Sequence, residues 1–120
     1  EVDYSKVIEL DSKNFELYTN RANFYKNIGK YDKAEADYSK VIELDPVYSY
    51  HYFNRANLYK ILKKYDKAEA DYTKVIELDP ENPDPYYLRS DFYKDIEQYD
   101  KAKSDYTKAI DFEDALYSPE

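Results

Sequence analysis

Few side chains in this sequence could do chemistry, and their spacing narrows what that chemistry is. The chain has 15 Lys but only three Arg, at Arg21, Arg55 and Arg89, separated by 34 residues each time. Asp37, Asp71 and Asp105 each stand 16 residues beyond one of these arginines. A planar guanidinium can grip a carboxylate through two parallel N–H···O bonds in a tight, partly dry interface where an ammonium fits less well. The pattern therefore predicts structural Arg–Asp pairs rather than ligand contacts, formed within a unit or between neighbours. The single His51 has no second His or Cys to work with and reads as an ordinary helix-start residue, not a catalyst. Asp91 and Asp95 lie one helical turn apart and could contribute to a hard-cation site, but nothing supplies the remaining ligands. There is no glycine-rich phosphate loop, nucleophile motif or metal cluster. No cofactor and no enzyme activity are expected within these residues; any catalysis would lie outside them.

Composition sets further bounds. There are no cysteines, which removes disulfides and thiolate ligands but does not fix the compartment, for which the cytoplasm is the default expectation. One Gly, five Pro and 42% hydrophobic residues suit a helical protein. A net charge of -8 repels phosphate backbones, so no nucleic acid is expected, and it favours basic protein segments. Apolar runs are too short to span a membrane, and no signal peptide is visible. The chain opens at Glu1, already inside a pattern, and reads as a piece of a longer protein.

That pattern must position the residues above. Tyr-Asp-Lys-Ala recurs at Tyr31, Tyr65 and Tyr99, and Asp-Tyr-Ser/Thr-Lys at Asp3, Asp37, Asp71 and Asp105, always 34 apart. Aligning 15–48 with 49–82 gives 23 identities in 34. The chain divides into an orphan second helix (1–14), full repeats at 15–48, 49–82 and 83–116, and a short tail (117–120). Within a repeat, Tyr52, Ala56 and Tyr59 follow one helical period, and Tyr65, Ala68, Tyr72, Val75 and Ile76 another. Gly29 stands where the first helix should stop, with Lys63 and Glu97 in its place elsewhere. Pro46 and Pro80 end the second helices, while Pro83 and Pro85 suit a first turn. Antiparallel register brings Ala22 to Ala34, Ala56 to Ala68 and Ser90 to Ala102, where small residues let backbones approach. A lone hairpin cannot bury both faces, so neighbours stack. Thirteen of the 17 tyrosines fall at repeated core positions, leaving Tyr48, Tyr50, Tyr87 and Tyr117.

Tyr18, Ala22, Tyr25, Ala34, Tyr38, Val41 and Pro46, with their copies, resemble the tetratricopeptide repeat signature, over residues 1 to about 112. The resemblance implies an all-α right-handed superhelical solenoid of antiparallel helix pairs, with first helices lining a concave groove that binds a peptide or partner protein. Asn20 and Asn54 resemble the start of the asparagine ladder in the repeats of the O-linked N-acetylglucosamine transferase; Leu88 breaks it. Modules that grip chaperone tails use a carboxylate clamp of Lys, Asn, Asn, Lys and Arg. Thr19, Asn23, Asn54, Asp84 and Leu88 stand there, without a cation, so no clamp is expected.

Repeat differences indicate where recognition sits. Residues 31–46 and 65–80 differ only at Ser39/Thr73, so the second helices are nearly constant, and their charged faces read as solvated. Change concentrates in the first helices, where Glu16, Thr19, Asn23 and Asn27 share one face at about 100° per residue. The candidate groove comprises Asn20, Asn23, Lys26 and Asn27; Tyr50, Phe53, Asn54, Asn57 and Lys60; and Tyr87, Asp91 and Lys94. Asn amides can hold a peptide backbone of any sequence, aromatics can anchor apolar side chains, and the acidic third repeat favours a basic segment. An alternative is a structural segment that associates end to end through its orphan helix.

Overall fold

Helix boundaries follow local signals. In the computed structural model, which describes residues 3–117, seven helices run in order: α1 (Tyr4–Leu10), α2 (Phe15–Asn27), α3 (Tyr31–Leu44), α4 (Ser49–Ile61), α5 (Tyr65–Leu78), α6 (Pro83–Asp95) and α7 (Tyr99–Tyr117). Asp3, Asn14 and Asn82 cap α1, α2 and α6 by accepting from the backbone N–H of Lys6, Glu16 and Asp84. Each first helix closes with a left-handed residue: Gly29 at φ 78°, Lys63 at 59° and Glu97 at 64°. The next residue's N–H then reaches back to Tyr25, Tyr59 or Tyr93 at 2.8–2.9 Å, a Schellman closure that satisfies an orphan carbonyl. Only the glycine adopts that conformation without steric cost.

α2/α3, α4/α5 and α6/α7 form three antiparallel hairpins, and each second helix packs on the first helix of the next hairpin. Ala22, Ala34, Ala56 and Ala68 are fully buried at the hairpin seams. At the third seam the Ser90 hydroxyl donates to the Ala102 carbonyl at 2.7 Å, so the one polar side chain there is satisfied. Between hairpins, Leu58 covers Tyr38, and Phe92 lies 5.0 Å from the Tyr72 ring. Burying a Leu or Phe of this kind stabilises by roughly 1.5–3 kcal/mol. The stack is elongated: its radius of gyration is 16.4 Å, against about 14 Å for a compact chain of this length.

Two sequence expectations change here. The tyrosines of α3, α5 and α7 are not uniformly core. Tyr38 and Tyr72 are 2% and 3% exposed, while Tyr106, their copy in α7, is 53% exposed, and Tyr65 and Tyr99 are also open. The following hairpin's first helix is what buries Tyr38 and Tyr72, and no described helix follows α7 to do the same for Tyr106; Tyr65 stays open although α6 follows it. The tail expected from 117 also starts inside a helix. Asp114 stands where Pro46 and Pro80 stop the earlier helices, so α7 continues through Tyr117; 118–120 lie outside the described residues.

Candidate functional site

The site rests on three arginine staples. Arg21 reaches Asp37 through Nε and Nη2, both at 2.7 Å; Arg55 reaches Asp71 at 2.7 and 2.8 Å, and Arg89 reaches Asp105 at 2.6 and 2.7 Å. Each pair closes within one hairpin. The remaining Nη1 crosses to the preceding second helix, donating to Ser5, Ser39 or Thr73 at 3.1–3.2 Å. One guanidinium thus joins three helices. The carboxylates are buried, and their hydrogen bonds raise all three arginines above the usual value against the opposing pull of burial. Nothing in this arrangement leaves the arginines free for a ligand.

With that side held in the stack, α2, α4 and α6 present the opposite face outward. Glu16, Asn20 and Asn27 are exposed, with Asn23 and Lys26 half-buried. From α4 come exposed Tyr50 and half-buried Phe53, Asn54, Asn57 and Lys60; from α6, exposed Asp84, Asp91, Lys94 and Asp95 and half-buried Tyr87 and Leu88. Tyr50, Phe53, Val75, Pro85, Tyr87 and Leu88, with Asp84 at the rim, line an open cleft of about 470 Å³ between the second and third hairpins. Val75 belongs to a core pattern and Pro85 to a first turn, and their share in the cleft follows from the step between hairpins, which no sequence signal carries.

Several groove residues already have partners. The Tyr38 hydroxyl donates to Asn23 Oδ1, and the Tyr72 hydroxyl to Asn57 Oδ1 at 2.5 Å. Desolvation pushes both tyrosines up to about 12, so they remain neutral donors. With its oxygen held from within, each carboxamide keeps its NH₂ donors available. In the third hairpin Asp91 replaces the asparagine, while the Tyr106 ring packs edge-on to Tyr87 at 5.4 Å. Lys60 Nζ lies 2.5 Å from Asp95, bridging α4 and α6, so Asp95 is already paired. Asp84 and Asp91 carry the remaining acidic character.

His51 is less ordinary than its position implied. It is 4% exposed, with Nε2 2.9 Å from Asp45 and its ring between Phe15 and Tyr48. It ties the start of α4 to the end of α3. The second helices, read as solvated, also hold inter-hairpin contacts: Tyr59 donates to Glu35 at 3.0 Å and Tyr93 to Glu69 at 2.6 Å. A 24-residue offset occurring twice was the available signal. Among the described residues no group of three or more His, Cys, Asp and Glu could hold a metal, and no helix is long and apolar enough to cross a membrane.

A family profile for the tetratricopeptide repeat matches residues 15–48 and 49–82, and a second of the same description matches 71–104. No curated protein sequence matches the chain. Among solved structures it is similar to MamA at 23% identity, with a TM-score of 0.82 over 97% of this chain and 68% of that one. YrrB, described as a TPR protein with an unusual peptide-binding site, shares 25% identity over 92% of this chain and 57% of its own, with a TM-score of 0.73. The first TPR of Spaghetti (RPAP3), bound to the HSP90 peptide SRMEEVD, shares 30% over 86% and 82%, with a TM-score of 0.70. Helix pairs, repeat step and profile agree: the chain belongs to the tetratricopeptide repeat family and folds as an all-helical solenoid of such repeats.

Proposed function

We propose that this chain is a non-catalytic interaction module that binds a peptide or protein segment along the outward face of α2, α4 and α6. The observation that carries this reading is the locked pair Asn23 and Asn57, whose oxygens are engaged by Tyr38 and Tyr72. Ordered NH₂ donors one repeat apart suit the carbonyls of an extended backbone and lose little freedom on binding. Asn20 and Asn54 add further amides, and the cleft at Phe53 and Tyr87 takes an apolar side chain. Exposed Asp84 and Asp91 favour Lys or Arg beside it. YrrB and the Spaghetti domain are solved relatives described with peptide sites, which supports the class of partner. The acidic tail held by the Spaghetti domain is not the fit here, because Thr19, Asp84 and Leu88 offer no cation to a carboxylate.

The test uses a fluorescein-labelled extended peptide with a leucine between two lysines, and the same peptide with glutamates, read by polarisation. The lysine peptide binds and the glutamate peptide does not. Asn54→Ala with Asn57→Ala weakens binding by roughly tenfold or more, as two lost hydrogen bonds require. Equal affinity in the double variant sinks the proposal, as does tighter binding of the glutamate peptide.

A further inference from the structure

Among the points at which α7 departs from α3 and α5, three lie on one face. Glu35 and Glu69 accept the hydroxyls of Tyr59 and Tyr93 from the next hairpin, but the equivalent residue of α7 is Lys103, which cannot accept. Asp114 replaces the helix-ending proline. A further first helix at the 34-residue step would begin at 117, and Tyr117 is still inside α7. These changes remove from α7 the acceptor and the helix stop that α3 and α5 present to the hairpin after them. α7 nevertheless keeps the apolar face: Tyr99 is 61% exposed, Tyr106 53%, Ile110 37% and Tyr117 80%.

These residues are not scattered. Tyr99, Lys103, Tyr106, Ile110, Glu113 and Tyr117 follow steps of 4, 3, 4, 3 and 4, the a/d seam of a coiled coil. The extension past the usual helix end supplies its last two positions. Laid antiparallel on itself about residue 108, the seam pairs Tyr106 with Ile110, Tyr99 with Tyr117, and Lys103 with Glu113. A two-fold axis makes every pair twice, and the charged layers then match in sign.

We propose that α7 pairs with α7 of a second copy, antiparallel, through this seam. Glu113 is half-buried beside Tyr87, whose hydroxyl donates to it at 3.3 Å, so its carboxylate is already held near the seam. The contact borders the third-hairpin end of the proposed peptide site at Tyr87, which touches Tyr106 and Glu113, and leaves the outward face of α2 and α4 open. A single helix pair sits at the small end of specific interfaces, below about 1,200 Å², so association is weak and concentration-dependent.

Sedimentation velocity of the 120-residue chain across a wide concentration range tests this, with circular dichroism as the folding control. The expected result is a monomer–dimer equilibrium that stops at the dimer. Lys103→Glu and Glu113→Lys each turn two attractive layers into two repulsive ones and weaken the dimer by roughly tenfold. The combined Lys103→Glu/Glu113→Lys variant restores it, because the swapped charges match again. A chain that stays monomeric at the highest concentration overturns the proposal. So does growth beyond a dimer, which end-to-end stacking would give, or single variants that dimerise like the parent, or a double variant without rescue.

Discussion

Removing Arg55 should cost far more than removing its partner. Asp71 is short and buried, with 7% of its side chain exposed, and Arg55 supplies a hydrogen bond to each of its oxygens at 2.7 and 2.8 Å. In Arg55→Ala the carboxylate stays in place with no cation, and breaking a buried pair on one side costs about 3–5 kcal/mol. The variant also loses the guanidinium over the Tyr59 ring at 5.7 Å, worth about 0.5–1 kcal/mol. Against a total of roughly 5–15 kcal/mol for a domain, this brings the middle repeat close to unfolding at room temperature. Asp71→Ala leaves a long side chain already 21% exposed, which can extend its head to water, so the loss falls to about 1–3 kcal/mol. The double variant should be more stable than Arg55→Ala alone, because no charge is then left unpaired. Urea unfolding followed by far-ultraviolet circular dichroism gives all four values of the cycle. The reasoning fails if Arg55→Ala costs no more than Asp71→Ala, or if the double variant is the least stable of the four.

Two further outcomes follow from the backbone and the tyrosines. Lys63 and Glu97 hold positive φ where Gly29 does so freely, so Lys63→Gly should raise stability by about 1 kcal/mol; an unchanged or lower midpoint in thermal melting counts against the strain argument. Tyr38, Tyr59 and Tyr72 are pushed up to about 12, chiefly by burial. A raised folded-state value means their contribution is intact below the unfolded value near 10 and lost as pH climbs from about 10 to 12. Tyrosinate absorbance should therefore include a late rise from this buried set, coinciding with loss of helical signal. One stage near pH 10 with the helices intact would count against it.

The repeat step, the hairpins and the small residues at their seams can be counted directly, because the 34-residue recurrence and the helical period act over short distances. The offset that joins Arg21 to Asp37 is visible in the same way. His51 was harder, since its burial depends on Phe15 and Tyr48 closing over it from separate segments. The tyrosines misled in a systematic manner: periodicity assigns Tyr38, Tyr72 and Tyr106 one environment, yet burial of each depends on whether a further helix lies above it.

The candidate groove divides along the same line. Its membership on α2, α4 and α6 follows from which face varies between repeats. Its working chemistry did not: Tyr72 fixing Asn57, Lys60 closing on Asp95, and Val75 joining Phe53 in one cleft all link residues across helices. By itself, the sequence determined that helices form, where they turn and which residues recur at each seam, since propensity, capping and periodic burial are local. Only the tertiary structure decided which amide, carboxylate and ring remain free for a partner, because that depends on the rotation and step between hairpins, and a side chain that meets a neighbour across that step is no longer available to anything else.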